Sequence, residues 1–150
     1  ILMMCYTGFR ITEFLSLTVF SYDAKDNTLT GGIKTEAGKN RIVPVNSKIK
    51  PLLDAWLEKD GERIICRKNG KPFTAKYFRE NCFAPALDQT EGVRKLSPHE
   101  CRHTFASLLH SAGVDPVNIQ KLMGHADFSV DAETYIHVNL NDLKKSVEAI

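Results

Sequence analysis

The sequence predicts an α+β domain that is mostly helical and carries a small three-stranded antiparallel sheet. Residues 18–45 indicate the sheet, because short β-favouring runs alternate there with turns at Asp26-Asn27 and at residues 36–40. Two cap-then-proline pairs, Ser97-Pro98 and Asp115-Pro116, indicate long helices in the second half. The signals together favour one sheet beside a larger helical layer.

Each element has a local signal in chain order. Strands are expected at 18–23, 28–34, 41–45 and 64–66, and helices at 1–6, 13–17, 51–59, 74–82, 98–110, 116–124, 130–135 and 141–149. Thr12, Ser47 and Thr74 are the expected amino-terminal caps, since a side-chain oxygen there accepts a free helical N–H. The break at Thr7-Gly8 is expected to end the first helix.

Composition excludes several classes of protein. The 150 residues include 20 Lys+Arg and 18 Asp+Glu, for a net charge of +2, with 43% hydrophobic and 25% charged residues. These values are ordinary for a globular domain, so we expect a single domain over residues 1–150. No apolar run reaches the ~20 residues of a membrane helix. The chain opens inside an apolar helix with no initiator methionine or signal peptide, so we interpret it as a fragment of a longer polypeptide.

The cysteines indicate a reducing environment. Cys5, Cys66, Cys82 and Cys101 form no C-x-x-C pair, which disfavours both a zinc ribbon and a disulfide framework. We therefore expect reduced thiols in a cytosolic protein.

Polar groups stand where a core does not need them. His99 and Arg102 are three residues apart in the first turns of the predicted helix, where an anion is favoured. An imidazole, a guanidinium fork and free backbone N–H groups suit a phosphate. An exposed polar pair on a solvated face is the plain alternative.

Four further features each have an ordinary explanation. Arg10 and Glu13 could form a surface ion pair, and Lys34 could protect an edge strand. His125 could favour a helix dipole, and Tyr135 could be a half-buried core tyrosine.

The ordered set is more specific than its parts. It comprises T-G-x-R-x-x-E at 7–13, H-x-x-R-H-T-F-A-S at 99–107, and L-M-G-H at 122–125 followed by Tyr135. With these motifs the chain resembles the catalytic domain of the tyrosine recombinases, the phage integrase family of DNA strand-transfer enzymes. The resemblance runs from Thr7 to about Val138, and Arg41-Ile42-Val43-Pro44 fits the family's lysine-bearing hairpin.

The resemblance implies a role for each matching residue. Tyr135 would be the nucleophile that attacks the phosphodiester and leaves a 3′-phosphotyrosine. Arg10 and Arg102 would clamp the phosphate, His125 would hydrogen-bond to it, and Glu13 would orient Arg10. Lys34 would be the general acid, and His99 would assist proton transfer. Lys39 is a second candidate for the acid. Val130 and Asp131 stand where many relatives carry Thr-Thr.

The resemblance also implies partners. We expect the chain to bind double-stranded DNA and to assemble on it as a homo-oligomer, a tetramer. We expect no metal, cofactor or small-molecule substrate. The family's amino-terminal core-binding domain is absent from residues 1–150. A cytoplasmic location in a bacterium or phage-infected cell is expected. Residues 139–150 could dock on a neighbouring protomer or on their own domain.

Three rival functions remain open. The first is a zinc protease, because residues 99–103 read H-E-x-x-H, the zinc-protease helix motif, with His125, Glu133 or His137 as a third ligand. Pro98 and Arg102 count against it, because the zinc motif usually lies within a long apolar helix. The second is a non-catalytic helix-turn-helix over residues 105–123, and the third is a type IB topoisomerase.

Overall fold

The computed structural model describes residues 1–32, 39–59, 61–124 and 138–150. Its helices are α1 (Leu2–Thr7), α2 (Ile11–Ser16), α3 (Lys50–Leu57), α4 (Ala75–Phe78), α5 (Ala84–Asp88), α6 (Pro98–Ser111), α7 (Pro116–Met123) and α8 (Leu140–Glu148). The strands are β1 (Tyr22–Asp23), β2 (Thr28–Gly31) and β3 (Arg41–Pro44). The predicted α+β class is confirmed.

The sheet is an antiparallel meander in the order β1-β2-β3, as predicted. Leu29 of β2 lies opposite Tyr22 and Val43, and Gly31 lies opposite Arg41. Leu29 and Val43 are fully buried, so the register turns the apolar side chains of β2 and β3 toward the core.

The first predicted strand, 18–23, is wrong over most of its length. Val19–Ser21 form a 3₁₀ turn, and only two residues reach the sheet. The Ser21 hydroxyl accepts the Thr18 N–H at 3.0 Å, so a local side-chain bond replaces ladder pairing. The predicted strand at 64–66 is also wrong, because this segment pairs only at isolated bridges, Thr18 with Arg63 and Cys66 with Pro72.

Two predicted caps, Thr12 and Ser47, are wrong as well. Helix α2 begins at Ile11 with Arg10 as its cap residue, because the Glu13 carboxylate accepts the Arg10 N–H at 2.9 Å. Helix α3 is preceded by Ile49 rather than capped by Ser47. The Ser47 N–H and hydroxyl both bind the Glu148 carboxylate, at 2.8 Å each.

The predicted caps at Thr74 and Asp115 are confirmed. Thr74 Oγ1 accepts the Tyr77 N–H at 3.2 Å, and Asp115 Oδ1 accepts the Val117 N–H at 2.7 Å. The helix predicted to end at Cys82 continues through a π-helical turn, Arg79–Phe83, to Asp88. The predicted segment 130–135 lies outside the described residues.

Helix α6 crosses the centre of the core. Cys101, Phe105 and Leu109 on its inner face are fully buried, and α1 packs along them with Met4. Gly8 ends α1 at φ +61°, and a Cβ there would lie 2.3 Å from Phe105 Cδ1. Only glycine therefore lets α1 end this close to α6.

The carboxyl-terminal helix α8 packs on its own domain. Asn46 Nδ2 donates to the Val147 and Ile150 carbonyls at 2.6 and 3.2 Å, and Lys48 Nζ donates to Ile150 at 2.7 Å. Val147 and Ile150 are themselves buried. We call this contact, together with the Ser47–Glu148 bonds, the α8 joint.

Candidate active site

The turn after α1 places the first two candidate residues. Gly8 reverses the chain, and Arg10 then precedes α2. Glu13 is fully buried, and its carboxylate accepts the Arg10 guanidinium at 3.1 Å as well as the Arg10 backbone N–H. The surface-pair alternative is thus wrong for the glutamate, and Arg10 is held at both ends by one buried carboxylate.

Arg102 lies on the buried side of α6, with only 3% of its surface exposed. Its Nη1 donates to the Gly8 carbonyl at 2.6 Å, and its Nη2 donates to the Met123 carbonyl. Gly8 is the residue that ends α1, and Met123 is the last residue of α7. The guanidinium fork therefore bridges the carboxyl ends of two helices, where carbonyl oxygens concentrate partial negative charge.

A third arginine, Arg41 of β3, lies beside Arg102 and is 5% exposed. It donates to the same two carbonyls, from Nη1 to Met123 at 2.9 Å and from Nη2 to Gly8 at 3.1 Å. Its Nη2 also lies 3.2 Å from Glu13 Oε2. We call these groups the arginine cluster: Arg10, Glu13, Arg41, Arg102 and the carbonyls of Gly8 and Met123.

Burial changes the acidity of the two inner arginines. It lowers the pKa of Arg41 to about 10, against the opposing pull of Glu13. Burial, together with the positive charges of Arg41 and Arg10, lowers the pKa of Arg102 to about 10 as well. Both groups remain protonated at neutral pH, so the cluster concentrates positive charge around one carboxylate. Such a site suits a phosphate diester.

His99 is exposed, whereas Arg102 is buried. It lies on the outside of the first turn of α6, and its ring meets the His103 ring edge-on with centroids 4.7 Å apart. Its predicted part in proton transfer stays a prediction.

The zinc-protease reading finds little support in the geometry of Glu100. Its carboxylate accepts the Ser97 N–H at 2.5 Å, which lowers the pKa of Glu100 and completes the cap of α6. It is therefore a capping residue rather than a base held beside a metal. Within the described ranges, no three His, Cys, Asp or Glu side chains come together to hold a metal ion. The third-ligand candidates fall outside those ranges.

Three predicted site residues, Lys34, His125 and Tyr135, lie outside the described residues. Gly124 caps α7 at φ +63°, directly after Met123, whose carbonyl belongs to the arginine cluster. Lys39 lies on the described side of the hairpin and is exposed.

Sequence reasoning assigned no separate role to Arg41, the third arginine of the cluster. Its partners Gly8 and Met123 are 33 and 82 positions away, so no local spacing links them. An arginine opening a strand that is otherwise apolar was the available signal.

The sequence profile of the phage integrase family matches residues 1–142. The chain belongs to the phage integrase family. This confirms the resemblance drawn from the three motifs. The match covers the whole arginine cluster.

Named relatives agree with this assignment. The chain is 33% identical over 153 residues to tyrosine recombinase XerC of Bacillus pumilus, and 29% identical over 148 residues to tyrosine recombinase XerD of Vibrio cholerae. Each alignment covers 93% of this chain and 48% of the relative. The chain thus spans about half the length of the curated relatives that it matches.

Solved structures share the fold. XerA recombinase aligns over 95% of this chain and 53% of its own, with a TM-score of 0.71 and 24% identity. The Tn1549 transposon integrase, solved with transposon right-end DNA, aligns over 99% of this chain and 57% of its own, with a TM-score of 0.73 and 22% identity. In the described part of this chain, no helix has the length and apolarity needed to cross a membrane.

Proposed function

We propose that this protein is the catalytic part of a site-specific DNA recombinase or integrase. It would break and rejoin DNA through a covalent 3′-phosphotyrosine, with no metal or cofactor. The arginine cluster carries the proposal, because Arg10 and Arg102 are fixed by buried partners before any DNA arrives. Membership of the phage integrase family supports the same chemistry.

The arginines would stabilise the transition state. During attack on a phosphodiester, negative charge grows on the non-bridging oxygens. Arg102 donates to two neutral carbonyls, so the bonds that orient it leave its positive charge uncompensated. Donors fixed in advance stabilise the developing charge without reorganisation, and losing one typically costs roughly 3 kcal/mol or more.

The remaining steps would use the residues beyond the cluster. Tyr135 Oη would form a bond to phosphorus while the bond from phosphorus to the 5′ oxygen breaks. His99 would accept the phenol proton, Lys34 would give a proton to the leaving 5′ oxygen, and His125 would bond the phosphate. The ester energy stays in the phosphotyrosine, so attack by a 5′-hydroxyl would rejoin strands without ATP.

Partners and assembly follow from the proposed chemistry. Strand exchange requires two duplexes and four cleavage events, so we propose a tetramer of protomers on double-stranded DNA. We propose a cytoplasmic, DNA-associated location. A non-catalytic DNA binder is the reading that the first experiment must exclude.

The test is covalent capture in EDTA. The substrate is a duplex with a nick close to the scissile phosphate. After cleavage, the short fragment that carries the new 5′-hydroxyl diffuses away, so the strands cannot be rejoined and the adduct is trapped. We expect a denaturant-resistant protein–DNA adduct with the wild-type protein and none with Tyr135→Phe. The matched control is Tyr77→Phe, which alters a surface tyrosine and should form the adduct normally.

The outcomes separate the alternatives. An adduct that survives EDTA and disappears in Tyr135→Phe supports a metal-free tyrosine nucleophile. An adduct that EDTA abolishes would contradict the metal-free mechanism. DNA binding without any adduct on a cognate site would contradict the proposal and favour a non-catalytic binder.

A further inference from the structure

We propose that Arg41 is a positioning residue for DNA cleavage. It fixes the orientation of Arg102 and Arg10, and it pairs with the negative charge of Glu13. The inference rests on the proposed function and assigns Arg41 a task within it. Arg41 does not need to touch the DNA for this task. It acts through the groups that hold the phosphate-binding arginines.

The bonds of Arg41 carry the argument. In the described part of the chain its terminal nitrogens contact three acceptors: the carbonyls of Gly8 and Met123, and the carboxylate of Glu13. Each acceptor also binds a phosphate-binding arginine. The two carbonyls accept from Arg102, and Glu13 accepts from Arg10. Arg41 is thus linked to Arg102 through the two carbonyls and to Arg10 through Glu13.

The two inner arginines form a closed ring. Arg41 and Arg102 each span the Gly8 and Met123 carbonyls, so the ring has four hydrogen bonds and two parallel forks. If Arg102 rotated, both carbonyls would still be held by Arg41. The acceptors therefore stay in place, and Arg102 returns to one orientation.

Arg41 also separates charge. Glu13 is the one carboxylate in the arginine cluster, and Arg41 pairs with it. Arg102 is left bonded to neutral carbonyl oxygens. Arg41 and Arg10 thus share the buried acid, and Arg102 offers a phosphate a positive charge that is not paired with a carboxylate.

Core packing alone does not explain an arginine here. Its guanidinium carbon lies 4.5 Å from the centre of the Phe9 ring, a cation–π contact that any orientation of the fork over the ring could make. Its Nε is buried and has no hydrogen-bond partner among the described residues. Burying a charge with one donor unused is costly, so the arrangement is better explained by the bonds that it makes to the site.

A double-mutant cycle tests the role in the intact protein. Single-turnover adduct formation is measured for wild type, Arg41→Lys, Arg102→Lys and the double variant, with DNA affinity and thermal melting measured in parallel. Lysine keeps the charge but presents a single nitrogen, which cannot span both carbonyls. Arg63→Lys is the matched control, because Arg63 donates to the Leu15 carbonyl at 3.3 Å outside the cluster.

We expect Arg41→Lys to slow cleavage roughly tenfold at nearly unchanged DNA affinity, and to slow it less than about threefold when Arg102 is already lysine. Equal effects in both backgrounds, or an unchanged rate, would overturn the inference and leave the proposed function intact. A wild-type protein that forms no adduct would overturn the proposed function, and the inference with it. Arg63→Lys should behave as wild type.

A measurement on the wild type covers the case in which the variants fail to fold or react too slowly to follow. In protein labelled at its arginine nitrogens, the ring predicts hindered rotation of two guanidinium groups, with separate signals for their terminal protons. Signals averaged by free rotation in both groups would contradict the ring.

Discussion

The arginine cluster and the α8 joint both tie distant parts of the chain together, but they use different chemistry. The cluster buries three charged side chains between helix ends, whereas the joint buries the neutral amide of Asn46 and apolar residues and leaves its charged groups, Lys48 and Glu148, exposed. Burying charge is a poor way to gain stability, whereas satisfied amides and apolar contacts are efficient. The comparison is what we expect if the cluster serves the proposed chemistry and the joint serves the fold.

The first way to test this comparison is to weaken the cluster at Arg102. We expect Arg102→Lys to lower the single-turnover rate of adduct formation by about 100- to 1,000-fold, because one ammonium cannot bridge two carbonyls and also bind phosphate. DNA affinity should change little, since the charge is kept. A loss of affinity that accounts for the whole effect would contradict the assignment.

The second test moves the backbone of the cluster. Gly8→Ala should destabilise the protein by about 3 kcal/mol, because the methyl group meets Phe105 and the backbone is left-handed. Gly113 is also left-handed, at φ +72°, with open space around it, so Gly113→Ala should cost only about 1 kcal/mol. Chemical unfolding of the two variants measures the difference. The adduct rate should fall only for Gly8→Ala.

The third test breaks the joint instead. Asn46→Ala removes the donor to the Val147 and Ile150 carbonyls, and we expect a loss of about 2 kcal/mol in unfolding free energy. Asn141→Ala, on the exposed side of α8, should change it by less than about 0.5 kcal/mol. The cleavage rate per folded molecule should be the same in both. A slower rate in Asn46→Ala would show that the joint also serves the chemistry.

The smallest effect is expected at an exposed arginine. Arg94 Nη2 lies 3.6 Å from Glu100 Oε1, and 79% of the Arg94 side chain is exposed. Arg94→Met should shift the melting temperature by less than about 2 °C and leave the cleavage rate unchanged, because exposed pairs contribute little. A large loss of activity would mean that the outer face of α6 takes part in the reaction.

Sequence predicted best where the signal was local. The caps at Thr74 and Asp115 formed as expected, and the positive-φ glycine ended α7 where the sequence placed it. The predicted strand at 18–23 and the predicted cap at Ser47 are wrong for opposite reasons. In the first segment the nearby Ser21 hydroxyl accepts the Thr18 N–H, which replaces strand pairing. In the second, Ser47 binds Glu148, 101 positions away, instead of capping α3.

The candidate site divides in the same way. The motif around Arg10 and Glu13 is contiguous, and its ion pair was foreseen from spacing. The burial of Arg102 and the part of Arg41 depend on the ends of α1 and α7 meeting in space. Such a meeting leaves no periodic trace in the sequence, which is why helical spacing alone left open a solvated face for Arg102 and His99.

The ring of arginines and carbonyls also fixes an order in time. Its bonds join residues that are 94 and 82 positions apart, so they close only after both ends of the chain have met. During synthesis, the two forks cannot be completed until Met123 has left the ribosome. The nascent chain therefore lacks its paired forks until both helix ends that they bridge have been made.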